Sequence, residues 1–158
     1  MKRLNILFTA LMLCIGFATV ISSCSKDEDE PTVPAAKSVE DTYTGDMTCM
    51  VMGSESVFET KTFTVTSTDD ATVIVRIPSF GNPPMQLPEI NVTGIKVGGA
   101  DGTYTLASTE FNGTTDAGKA YSGTMQGSFE NNEITIKFNL QYGAMPVPMI
   151  CTFTAPKK

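Results

Sequence analysis

The chain has 158 residues, with 11 Lys and Arg against 17 Asp and Glu, and neither histidine nor tryptophan. Without histidine there is no Ser-His-Asp or Cys-His arrangement and no imidazole metal site. The acidic balance lacks the clustered Lys and Arg that nucleic acid or an anionic lipid surface would require.

The chain opens on "MKRLNILFTALMLCIGFATVISSC". Two cations, Lys2 and Arg3, precede a largely apolar run over residues 4–21. This is the layout of a secretory signal peptide, expected over residues 1–23. "ISSC" ends in small residues and a cysteine, and acids rather than a stop-transfer cluster of cations follow. The stretch resembles a bacterial lipobox, in which cleavage precedes Cys24 and lipid is attached to its thiol. The implied partner is a membrane, reached through lipidated Cys24. Several acyl chains on one residue would anchor firmly, since each buried methylene contributes about 0.8 kcal/mol. Removing Lys2 and Arg3 leaves 9 cations against 17 acids, a net charge of −8.

"SKDEDE" follows Cys24 directly. Lys26, Asp27 and Glu28 resemble the export signal of surface lipoproteins in gut-type Gram-negative bacteria, which implies the outer face of the outer membrane. The alternative address is the periplasmic leaflet. Residues 24–41 are acidic and proline-containing and bury little apolar surface, so they read as a flexible tether. At ~3.3–3.6 Å per extended residue such a tether reaches several tens of Å.

From residue 42 the chain is rich in Thr, Val, Ile, Phe and Tyr, and Gly, Asn, Asp and Pro punctuate it. Alternation, not helical spacing, dominates. Residues 43–52 place Tyr43, Gly45, Met47, Cys49 and Val51 on one face. Residues 57–66 put Phe63 and Val65 in phase, but Glu59 and Lys61 share that face. Residues 72–77 form a short apolar strand. Residues 89–97 change phase at Gly94, which a bulge at Thr93 and Gly94 would repair. Residues 103–108 give a fifth strand. Residues 119–130 place Tyr121, Gly123, Met125, Gly127 and Phe129 on one face. Asn131 and Asn132 then predict a two-residue hairpin into 133–142, with Ile134, Ile136, Phe138, Leu140 and Tyr142 inward. Residues 145–154 close the series with Met149, Cys151 and Phe153 in phase. The one long connection, 78–88, carries four prolines and reads as a lid or an edge excursion.

Eight half-polar strands with short links can stack as a sandwich or close as a barrel. Closure removes the exposed edges, and the expected fold is an all-β, eight-stranded antiparallel up-and-down β-barrel over residues 42–158. Two segments echo each other, "YTGDM" at 43–47 and "YSGTM" at 121–125. A strand in a small barrel coils tightly, and glycine permits this where a side chain would clash. In such a barrel the last strand pairs with the first. Cys49 and Cys151 would then face each other, and the exported compartment permits a disulfide. The alternative is two buried free thiols acting as small apolar residues.

The lipobox, the acidic tether, the "YTGDM" opening and the central "IPSFGNPPMQLPEINVTGI" together resemble the calycin-like β-barrel lipoproteins of gut Gram-negative bacteria. The resemblance spans roughly residues 42–156 and implies a lipocalin-related barrel, with no known activity. The chain departs from true lipocalins in lacking a Trp after a Gly in the first strand.

Two functions fit. One is binding of a small apolar or amphiphilic ligand in the barrel, with Met47, Met125, Phe138 and Met149 lining the interior and Phe80 and Met85 near the mouth. Methionine suits adaptable apolar surfaces, and it also serves as ordinary core filling. The other is a surface interaction module with a filled core and partner-binding loops. The scattered carboxylates sit in turn-like contexts, so neither catalysis nor a cofactor or metal is expected.

Overall fold

Alternating apolar and polar residues build antiparallel strands with one buried face each. The structure, a computed structural model, describes residues 32–83 and 86–158. The expected signal peptide, Cys24, Lys26, Asp27, Glu28 and Met85 lie outside the described residues. A short helix, α1 (Ala35–Val39), leads into β1 (Asp41–Val51), β2 (Ser54–Asp69), β3 (Thr72–Ile77), β4 (Ile90–Ala100), β5 (Thr103–Thr114), β6 (Ala120–Glu130), β7 (Glu133–Tyr142) and β8 (Met149–Pro156). Each strand pairs antiparallel with the next, and β8 returns to β1, so the eight strands close into an up-and-down barrel.

Register shifts in four of the ladders help to set which side chains face inward, and those on β4 and β2 bear on the site. On β4, Thr93 and Gly94 oppose the single residue Ile74 of β3, with Gly94 at φ 75°. The bulge brings Val92 and Ile95 to the same buried face. On β2, Glu59 and Thr60 oppose Asp46 of β1, with Thr60 at φ 54°. The Asp46 carboxylate accepts from the Thr60 N–H at 3.0 Å. This second bulge inverts the phase of β2, so Phe58 pairs with inward Met47. Asn131 and Asn132, at φ 52° and 63°, make the two-residue β6–β7 hairpin. β4 and β5 pair only from Val97–Leu106 to Ala100–Thr103, and their remaining lengths diverge.

Three boundaries differ from the alternation pattern. β8 begins at Met149 rather than at 145, because Pro146 and Pro148 have no N–H to give the ladder. β5 runs on to Thr114, carried by pairing with β6 that its polar sequence does not advertise. The folded unit also begins earlier than residue 42. α1 buries Ala36 and Val39 completely against the core, so the end of the expected tether is structured.

α1 closes one end of the barrel, here called the helix pole. Its fastenings are polar. The Ala36 N–H donates to Asp70 O at 3.2 Å, the Tyr43 hydroxyl to Val39 O at 2.7 Å, and Lys157 Nζ to Ser38 O. Just after the helix, the Glu40 carboxylate accepts from the Ser67 hydroxyl and N–H and pairs with Lys37 at 2.9 Å.

The barrel wall is stapled where β8 meets β1. Cys49 pairs directly with Cys151, Cα to Cα 4.3 Å, and their sulfurs are bonded. The sequence separation is 102 residues. In the chain-entropy model such a bond stabilises by about 4–5 kcal/mol.

The two echoing glycines share a physical role. A Cβ on Gly45 would strike Thr154 O and Ala155 of β8, and one on Gly123 would strike Asn139 O of β7 and the Phe111 ring. Both mark places where neighbouring backbones approach closely. Gly45→Ala and Gly123→Ala should each destabilise the barrel by about 1–3 kcal/mol, read by urea denaturation. A neutral result at both sites would mean the strands move apart freely.

Hydrogen bonds from Ser67, then Lys37, hold the Glu40 carboxyl down from its ordinary 4.5 to about 2. A carboxyl depressed on folding stabilises fully above its unfolded value, and that contribution disappears as pH falls toward the folded value. The loss in melting temperature from Glu40→Gln should therefore be constant above about pH 5. It should shrink between 4.5 and about 2. A difference that stays constant down to pH 2 would exclude this linkage.

Candidate functional site

The barrel interior is largely filled. Phe63 and Phe153 stack at 4.0 Å between centroids, and Phe138 lies 6.3 Å from Phe63. Phe80, on the connection between β3 and β4, meets Phe138 edge-on at 6.4 Å and Phe58 at 5.5 Å. Five rings thus form a column from mid-barrel to the pole opposite α1. Phe80 is held there by a two-bond bridge, its N–H donating to Leu87 O at 3.3 Å and the Leu87 N–H donating back at 2.8 Å.

Above this column, at the open pole, lies a cleft of about 260 Å³. β1 contributes Cys49 and Val51, and β2 contributes Ser56 and Phe58. The long connection adds Phe80, Gly81, Asn82 and Leu87. Tyr142 ends β7, and Met145 and Met149 flank the start of β8. Its wall is mostly apolar, with Ser56, Asn82 and the Tyr142 hydroxyl as polar points. The turn that presents Met145 is pinned by Gln141 Nε2, which donates to Met145 O.

Tyr142 is 92 % buried as a residue; its hydroxyl has no hydrogen-bond partner among the described residues and is reached by solvent, since no side-chain polar atom there is both buried and unpartnered. Tyr142 is also a wall of two neighbouring clefts. Lys119, Gly143, Ala144, Met145 and Pro146 complete one, and Ser79, Gln86, Leu87, Pro88, Thr115, Asp116 and Ala117 the other. Lys119 Nζ stands 5.5 Å from the Tyr142 ring centroid. A separate groove of about 350 Å³ lies on the outside of β5–β7, bordered by Thr105, Ser108, Gln126 and Lys137.

Of the residues expected to meet a ligand, Phe80 and Met149 line the cleft. Met47, Met125 and Phe138 do not: they are buried within the filled interior, at 0 %, 0 % and 3 % exposure. Phe80 is buried as part of the cleft's inner wall rather than poised at an open mouth. Sequence reasoning overlooked Phe58, because the β2 bulge reverses its phase. It overlooked Lys119, because a turn residue carries no periodic signal. Tyr142 was legible as an inward residue, but its position at the strand end was not.

The sequence profile of the calycin-like β-barrel domain matches residues 39–155. The chain belongs to this family. Among solved structures, the calycin-like barrel is similar to a candidate outer membrane protein of Bacteroides fragilis, with a TM-score of 0.67 at 23 % identity. The match covers 79 % of this chain, which spans about half, 53 %, of the Bacteroides protein. At that identity the likeness is one of fold. No protein among the curated ones matches the chain. The family profile begins at Val39, the last residue of α1, and ends at Ala155 in β8, so it takes in every strand that walls the cleft.

Proposed function

We propose that this calycin-like domain is a lipid-anchored binding protein of the outer membrane, displayed at the cell surface, that takes a small apolar or amphiphilic molecule at its open pole. The observation that carries the reading is the cleft of about 260 Å³, apolar with a few polar points, above an otherwise filled barrel. Concave, mostly apolar sites with few polar groups are the usual form of small-molecule pockets. The described chain enters the barrel at the helix pole, and the cleft lies at the other pole. The lipobox-like "ISSC", the "SKDEDE" that follows it and the similarity to a candidate outer membrane protein support the address. The reading is one of binding rather than catalysis, in keeping with a chain that contains no histidine.

An exposed apolar patch favours a second reading. Met50, Met52, Val57 and Ile150 are 44 %, 78 %, 56 % and 59 % exposed. Met50 pairs directly with Ile150, and Val57 lies diagonally across the β1–β2 ladder. Met50, Val57 and Ile150 share the outer face of β8, β1 and β2, and Met52 lies in the adjoining β1–β2 turn, where a surface interaction module would offer a partner an apolar contact.

The binding reading is tested with phenol, a small amphiphilic ring compound, by titration calorimetry. The folded protein should bind it saturably, and Met145→Lys should weaken binding about tenfold, since it places a charge in an apolar wall. Unchanged affinity in Met145→Lys would remove the cleft as the site. Unchanged affinity together with its loss in Ile150→Lys would favour the outer patch.

The anchor is tested separately. The protein should sediment with the outer membrane, and Cys24→Ala should release it to the soluble fraction. Co-sedimentation of both forms would rule out lipidation at Cys24 as the anchor.

A further inference from the structure

The size of the cleft bounds its ligand. A cavity of about 150 Å³ already takes benzene. At about 260 Å³ the open-pole cleft holds one ring with a short substituent. A long acyl chain is larger than this cleft by itself, and the aromatic column below leaves it no room to extend inward, so it could lengthen only toward the adjoining cleft at Lys119.

The lining narrows the class further. Phe58 and Phe80 meet at an interplanar angle of 66°, so the wall offers both a ring face and a ring edge. Met145 and Met149 place two thioethers on the same cleft. Edge-to-face aromatic contact and sulfur–ring contact both favour an aromatic guest over an aliphatic one of equal area.

The polar features point to an acid. Tyr142 is buried as a residue, but its hydroxyl has no partner among the described residues and is reached by solvent at the cleft. Lys119 lies over the same ring and borders the adjoining cleft, which shares Tyr142 and Met145 with the first. Among the described residues no carboxylate pairs with Lys119, and no acidic side chain lines either of these two clefts. Asp116 borders only the third cleft, on which Tyr142 also opens. In a chain of net charge −6, this is a cation left without an acid beside an unpaired hydroxyl that faces the cleft. A carboxylate could accept from both.

We propose that the cleft selects a compact, single-ring carboxylic acid, with its ring among Phe58, Phe80, Met145 and Met149 and its carboxylate at Tyr142 and Lys119. This rests on the reading of the cleft as the binding site and names its ligand class.

The test uses the mature protein with ¹³C-methyl methionine, whose Met145 and Met149 methyl resonances report on the cleft. Benzoate, benzyl alcohol and hexadecanoate serve as probes. Benzoate should shift both methyls saturably and bind about fivefold more tightly than benzyl alcohol. Lys119→Gln should erase that preference while leaving benzyl alcohol unchanged, and Tyr142→Phe should weaken both ring compounds. Equal affinity for benzoate and benzyl alcohol, or a preference that survives Lys119→Gln, overturns the assignment of an acid and leaves the cleft a binding site. Hexadecanoate shifting the same methyls at lower concentration than benzoate overturns the compact class in the same way. If no probe moves either methyl, the ligand class and the binding reading of the cleft fall together.

Discussion

Closure of β8 on β1 is the constraint on which the rest of the molecule depends. Left open, the sheet would expose two edges of unsatisfied backbone groups, each a template for aggregation. Closed, it turns every inward side chain toward one small interior. Closure demands close backbone approach at Gly45, whose missing Cβ leaves room for Thr154 and Ala155. It also places Cys49 opposite Cys151. The same circumference that brings these groups together encloses an interior that buried side chains fill, five of them rings in contact with one another.

A filled interior moves the functional question to the poles, and the two poles differ in kind. The helix pole is sealed by α1, whose fastenings to the strands and the chain terminus are mainly polar. The open pole is built from strand ends, turns and the long β3–β4 connection, and its apolar side chains line a recess. Beside it the wall is thinnest, since β4 and β5 pair over only four residues each. Regions with few ladder bonds occupy the low end of local stability, where binding elements are commonly found. The sealed end thus supplies rigidity to a site at the other end that has less of its own.

Much of the barrel was legible in the sequence, because alternation with period two is a direct consequence of burying one sheet face. The Gly94 bulge and the Asn131–Asn132 hairpin announced themselves through a phase change and a residue type that tolerates positive φ. The bulge at Glu59 and Thr60 did not. Threonine rarely adopts φ 54°, and its stabilising partner, Asp46, lies on another strand. No local pattern reveals that contact. α1 was hidden for a similar reason: five residues beginning "AAK" have no helical period to read, and the pole they cover exists only after the strands assemble. The cleft was legible only in part, through Phe80 and Met149. Alternation tells which face a residue takes, not how far along the barrel axis it sits. That coordinate separates buried Met47 and Met125 from Met145 and Met149 at the cleft.

Strand order carries a consequence for how the chain reaches this state. Seven of the eight seams join strands consecutive in sequence, and only one joins the two ends. The consecutive seams cost little loop entropy and can form as hairpins, each templating the next. The remaining seam must bring together residues 102 positions apart, and its closure entropy is recovered only once the ladder is complete. Folding should therefore proceed as a fast zipper followed by a slow ring closure. Before that last step the chain is a curled sheet with both edges bare, the species most exposed to pairing with its neighbours. A covalent link across the seam would shorten this vulnerable interval on every later refolding.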